Sequence, residues 1–214
     1  MTTKITRPYS LVCNQCYTLK ISDKLFLKEK NVNLRIATLL LAFIAVSCKH
    51  ATKNEKEISA LKNQADSIAT VSQMILSQNV AGAIQKGGID YAVEFCNIQA
   101  IPLTGSIAED LNVYIQRLSD KNRNPANAIK TQADSLAWKK IKSKKVDFIE
   151  QHNNGEVYYY KPILIAMPTC VKCHGGKSDI AESTQNSIAQ KYPGDKAVNY
   201  KLGDLRGMWK IKLK

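Results

Sequence analysis

The sequence predicts an α+β domain in which an antiparallel sheet carries helices on one side and a long helix leads into it. Three stretches carry that prediction. From Glu57 to Gln85, Ile58, Leu61, Ala65 and Ile68 recur three and four residues apart, the spacing of one helical face. Val146 to Gln151 and Glu156 to Ala166 flank Asn153-Asn154-Gly155, a turn sequence, so the two runs read as a hairpin. Arg206 to Leu213 sets Met208, Lys210 and Lys212 against Trp209, Ile211 and Leu213, the period of a strand.

The remaining elements follow in order. Gly87-Gly88 breaks the first helix, and Ile89, Val93, Cys96 and Ala100 then mark a second with one buried face. Ile107 and Leu111 indicate a third. Val113 to Leu118 reads as a strand entering a loop fixed by Pro125 and its neighbouring asparagines. Ala133, Leu136, Ala137 and Ile141 give a further helix.

The chain has 214 residues, 44% of them hydrophobic and 23% charged, which suits one domain with a short appendage. Its formal charge of +13 raises the question of nucleic acid. The lysines are scattered, however, and no aromatic-basic motif of the kind that stacks bases accompanies them, so they read as solvated faces.

Residues 1–48 read as a leader. Arg35 precedes Ile36 to Val46, an 11-residue apolar run that is too short to span a bilayer and matches the core of a signal peptide. It ends in Ala45-Val46-Ser47-Cys48, which resembles the lipobox of bacterial lipoproteins with Ala45 where that pattern prefers Leu. Cys48 is thus expected to carry lipid, and the polar residues 49–57 to act as a tether. The expected location is the periplasmic side of the inner or outer membrane of a Gram-negative bacterium. Residues 1–30 read as an over-long start, and Cys13 and Cys16 lack the histidine or second pair that a metal site needs. The domain proper is expected at 58–214.

Export leaves Cys96, Cys170 and Cys173 beside the acylated Cys48, a poor disulfide framework. Cys96, Cys170, Cys173 and His174 make a formal zinc set, though adjacent Cys173 and His174 are a spacing that zinc sites seldom use. A thioredoxin-like dithiol is disfavoured by Pro168-Thr169 ahead of the pair. Covalent haem uses the whole motif Cys170-Val171-Lys172-Cys173-His174. Cysteines at i and i+3 place both sulfurs on one side of a turn for two thioether bonds, and His174 follows as the proximal ligand. Gly175 and Gly176 let the chain leave a crowded edge.

The opposite axial position has several candidates in Met74, Met167, Met208, His152 and Cys96, or it is open. Met167 is tied to the attachment side, His152 belongs to the hairpin turn, and Met74 lies on a helical apolar stripe. Spacing alone makes Cys96 a small buried hydrophobe.

The run Arg117-Leu118-Ser119-Asp120-Lys121-Asn122-Arg123-Asn124-Pro125-Ala126-Asn127 resembles the R-x-S-x-x-x-R-N-P-x-N signature of a bacterial monohaem c-type family, formerly a domain of unknown function, found alone or as a sensor ectodomain. Cys96-Asn97 is similar to its upstream cysteine, with Asn97 where Ser is common. Cys170 to His174 matches its haem motif. Tyr192, Pro193, Asp195, Ala197, Tyr200, Gly203, Asp204, Arg206 and Gly207 match its C-terminal pattern, with Asn199 where Gly is common. The resemblance covers roughly residues 58 to 214.

It implies a PAS-like α+β fold around one covalent haem c with a His/Cys axial pair, His174 proximal and Cys96 distal. A thiolate opposite imidazole favours ferric iron and a low potential. Arg117 and Arg123 are candidates for the propionates, the alternative being arginines that pin the loop through backbone carbonyls. The expected function is low-potential electron transfer or redox or ligand sensing, with a redox partner protein or a membrane signalling partner, and not nucleic acid. The competing class is a haem enzyme, peroxidase-like or gas-reacting, opened by loss of Cys96.

Overall fold

The computed structural model describes residues 34–213, with side chains from Glu55 onward. Cys48 and the rest of the expected leader fall outside the described side chains. Among the described residues no helix is long and apolar enough to cross a membrane. Thr52–Lys214 forms one compact unit, and the site lies within it.

Helix α1 runs Leu34–Asp110, but its backbone leaves helical geometry at Gly87 and Gly88, the latter at φ 79°. Glycine reaches that conformation without steric cost. The break is where the sequence places it, and it delivers a second helical segment bearing Cys96. The third helix expected at Ile107 and Leu111 is instead continuous with that segment, Pro102 notwithstanding.

Strand β1, Tyr114–Leu118, leads into a short 3-10 turn, Pro125–Asn127, capped by the Asn124 side chain, which accepts from the Ala126 N–H. Helix α2, Gln132–Lys144, begins at Thr131, whose hydroxyl accepts from the Asp134 N–H. Strands β2, Phe148–Gln151, and β3, Val157–Leu164, form the expected hairpin around Gly155 at φ +83°. Helices α3, Pro168–His174, and α4, Glu182–Lys191, precede β4, Leu205–Lys212. The sheet order is β1-β4-β3-β2 with every pair antiparallel.

The expectation of helices on one side of the sheet is corrected. Trp209 and Ile211 of β4, with Tyr159 of β3 and Ile115 of β1, pack on Ala65 and Ala69 of α1. Met208, with Tyr158 and Tyr160, packs on Ala137, Trp138 and Ile141 of α2, on the opposite face. The alternation in β4 is real, but both of its faces are buried. Lys210, read as solvated, is 8% exposed and pairs with Asp134 of α2 at 2.8 Å, which satisfies a charge that could not otherwise sit there.

Candidate functional site

A pocket of about 360 Å³ opens between the two segments of α1, the end of β1, the β3 terminus and α3. Val80, Ile84, Val93, Ile163 and Ile165 give it apolar walls. Into the same pocket come Cys96, Arg117, Arg123, Cys170, Cys173, His174 and, from β4, Arg206. All six predicted pocket residues therefore meet, although they span 79 positions of sequence from Cys96 to His174, counted inclusively.

Short α3 carries the motif. Pro168 occupies its first turn and Met167 its N-cap position, and the helix stops at Gly175, whose N–H returns to Val171. Gly175 has no room for a side chain, since a Cβ would lie 2.6 Å from both the Val171 carbonyl oxygen and the Asp179 Cβ. Cys170 packs beside Ile165, Ala197 and Tyr200, while Cys173 packs beside Val93, Ile180, Ile188 and Tyr192. Cys96, Cys170 and Cys173 are not joined to one another by disulfides.

His174 has a defined tautomer. Its Nδ1 lies 2.8 Å from the Ala197 carbonyl, and a carbonyl can only accept, so Nδ1 carries the proton and Nε2 keeps its lone pair. Burial, with Arg206 and Arg123 nearby, holds this imidazole well below its ordinary pKa and hence neutral. Burial raises the Cys96 thiol against the opposing pull of Arg117 and Arg123. Cys173 is pushed up to about 11 mainly by burial.

Both arginines bond backbone carbonyls, the alternative weighed for them. Arg117 donates through Nη2 to the Ala100 carbonyl at 2.9 Å, and Arg123 through Nη2 to the Cys173 carbonyl at 2.7 Å and to Asp195 at 2.9 Å. Each still has a buried Nε–H without a partner, and so does Arg206. Three unsatisfied guanidinium donors around one apolar pocket suit a ligand that brings carboxylates with it. Burial lowers Arg117 to about 10, the mark of a cation short of counter-charge. Arg206 is the pocket residue that sequence reasoning left without a role; its signal was its place in the C-terminal pattern.

The other ligand candidates are sorted by position. Met208 is fully buried in the α2-facing core, and His152 sits against Tyr158 and Tyr160 in the hairpin. Met74 is 51% exposed. Met167, the N-cap residue of α3, also lines the pocket. Among the described residues no three His, Cys, Asp or Glu side chains are arranged to hold a metal ion. Asn97, a departure from the expected Ser, donates to the Lys191 carbonyl at 3.1 Å and ties the Cys96 helix to the end of α4.

A family model described as Tll0287-like matches residues 49–213. The chain belongs to the Tll0287-like family. Its fold is also similar to that of a solved structure, the crystal structure of the cyanobacterial heme-protein Tll0287, at 24% identity, with a TM-score of 0.51, covering 69% of this chain and 93% of that one. No curated protein matches the chain. The family match spans the helix break, the Arg123 loop, the Cys170 motif and the C-terminal strand, so the pocket of the Tll0287-like domain is assembled from within the matched region.

Proposed function

We propose that this Tll0287-like protein is an exported c-type haem protein that binds one haem through Cys170 and Cys173, with His174 and Cys96 as axial ligands, and serves low-potential electron transfer or redox or ligand sensing. The observation that carries the reading is the His174 tautomer. With Nδ1–H engaged by Ala197, the available donor atom is Nε2, on a ring that lines the same pocket as both motif thiols and Cys96. The relation to a cyanobacterial haem protein supports it.

Bound there, the haem would supply one-electron chemistry, and the thiolate opposite imidazole would favour the ferric form. The chain does the rest. Cys170 and Cys173 provide the thioether sulfurs, and Ala197 orients the imidazole. The free Nε–H groups of Arg117, Arg123 and Arg206 await carboxylates at the pocket wall. Val80, Val93 and Ile165 keep water from it. Filling both axial positions favours a carrier or sensor over an enzyme. We place the protein on the periplasmic side of a membrane, lipid-anchored through Cys48, with a redox protein or signalling protein as partner.

The test is the full chain matured in a bacterial periplasm. A pyridine haemochrome of c type, lost in Cys170→Ala/Cys173→Ala, is expected. Visible spectra that ignore CO and peroxide in the parent, and change in Cys96→Ala, are expected as well. Colourless protein, or bands indifferent to Cys96→Ala, overturns the reading. Rapid peroxide turnover would make it an enzyme.

A further inference from the structure

On the α2 side of the sheet lies a second depression, open and about 730 Å³ in volume, which none of the residues assigned to the haem pocket explains. Its wall includes Trp138, Lys139, Lys142 and Lys196, with Asp120 and Asn122. Two features mark it as more than a solvated face. The indole N–H of Trp138 is buried and has no hydrogen-bond partner, although Trp138 is only 6% exposed. A buried donor left unpaired is costly, and an indole can only donate, so the group it lacks is an acceptor. The charge is also unbalanced. Lys142 meets Asp120 at 3.2 Å, while Lys139 and Lys196 have no carboxylate in ion-pair range among the described residues.

We propose that this depression binds a small molecule bearing phosphate or carboxylate oxygens, which the Lys139 and Lys196 ammonium groups attract and to which Trp138 donates. Its occupancy is transmitted to the haem pocket through Lys196. That residue stands between Asp195, which pairs with Arg123, and Ala197, whose carbonyl takes the His174 proton. Its own backbone N–H donates to the Asn122 carbonyl at 3.1 Å. An anion that draws the Lys196 side chain therefore pulls on the segment that orients the imidazole. The transmission rests on the proposed haem; the binding does not.

The experiment is a titration of the full, matured chain with inorganic pyrophosphate and, separately, citrate, with potassium chloride at matched ionic strength as the control. The readout is the pair of indole N–H resonances in the reduced state. The Trp138 signal is expected to move saturably with at least one of the two anions. Trp209, whose N–H is already engaged by Gln73 at 3.2 Å, is expected to stay. Lys139→Ala/Lys196→Ala alters two exposed side chains and should weaken the binding at least tenfold. Trp138→Phe should weaken it further if it folds. Shifts no larger than those in chloride, or shifts unchanged in the lysine variant, overturn the site. A midpoint potential that does not move at saturating anion overturns the transmission and leaves the haem assignment untouched, because that rests on the haemochrome.

Discussion

Arg123 and Cys173 are 50 residues apart in sequence, yet the Arg123 Nη2 donates to the Cys173 carbonyl at 2.7 Å. The same nitrogen reaches Asp195 at 2.9 Å, with side chains 10% and 8% exposed. One guanidinium thus binds the loop after β1, the cysteine motif and the C-terminal segment into a single frame. Replacing Arg123 by Gln strands the Asp195 carboxylate in a buried setting and should cost about 3 kcal/mol or more. Urea unfolding of the variant checks this, and a midpoint indistinguishable from the parent would refute it.

Arg117 has a different task. It keeps one bond to Ala100 while its Nε–H is unspent, so Arg117→Gln is expected to lower haem content and shift the reduction midpoint more than it lowers stability. Spectroelectrochemistry of purified variant and parent decides it. Unchanged content and midpoint would confine Arg117 to holding the helix.

Gly175→Ala should be severe, because its Cβ would meet a backbone oxygen and the Asp179 Cβ at 2.6 Å, neither of which is the end of a long flexible chain. A loss of about 2 kcal/mol or more is expected, together with poor haem incorporation as α3 shifts. Thermal unfolding and the haem-to-protein ratio measure the two effects.

The pair Lys210 and Asp134 makes a graded prediction. Lys210→Met alone leaves Asp134 buried without its cation and should cost about 3 kcal/mol. Asp134 also accepts from Tyr160 at 3.1 Å and from Thr131, so replacing both members by apolar residues should recover part of the loss but not all of it. A double-mutant cycle in denaturant gives the coupling.

Acid dependence should appear where α1 docks on the sheet. Asp66 accepts from Lys161 at 2.7 Å and from the Tyr159 hydroxyl at 2.6 Å, and these bonds hold its carboxyl below the ordinary 3.8. A carboxyl whose folded value is depressed contributes stability above its unfolded value, and that contribution is lost as pH falls through the folded one. The loss should therefore begin near pH 4 and continue below it. Asp66→Asn should flatten that limb of the stability curve and leave the neutral region nearly level. Because Asp66 is partly exposed, added salt should shrink the effect.

The features legible in the sequence were those written into local periodicity or local chemistry. Gly87 and Gly88 announce the break in α1, Asn153 to Gly155 the hairpin turn, and the spacing of Cys170, Cys173 and His174 a turn that lies within the short α3, because each depends on residues within a few positions of one another. Helix α4 went unread, since its polar run buries only Thr184 and Ile188. The second buried face of β4 was equally hidden, because the partner that makes Lys210 tolerable is Asp134, 76 residues away. Spacing alone could not choose among Cys96, Met74, Met208 and His152, for which of them faces the pocket depends on the crossing of α1 over the sheet. Nor could it find the Ala197 carbonyl that sets the His174 tautomer, or the unpaired Nε–H of Arg206. Those are decided by long-range packing, which brings groups distant in sequence to within 3 Å of one another, and no period along the chain encodes such an encounter.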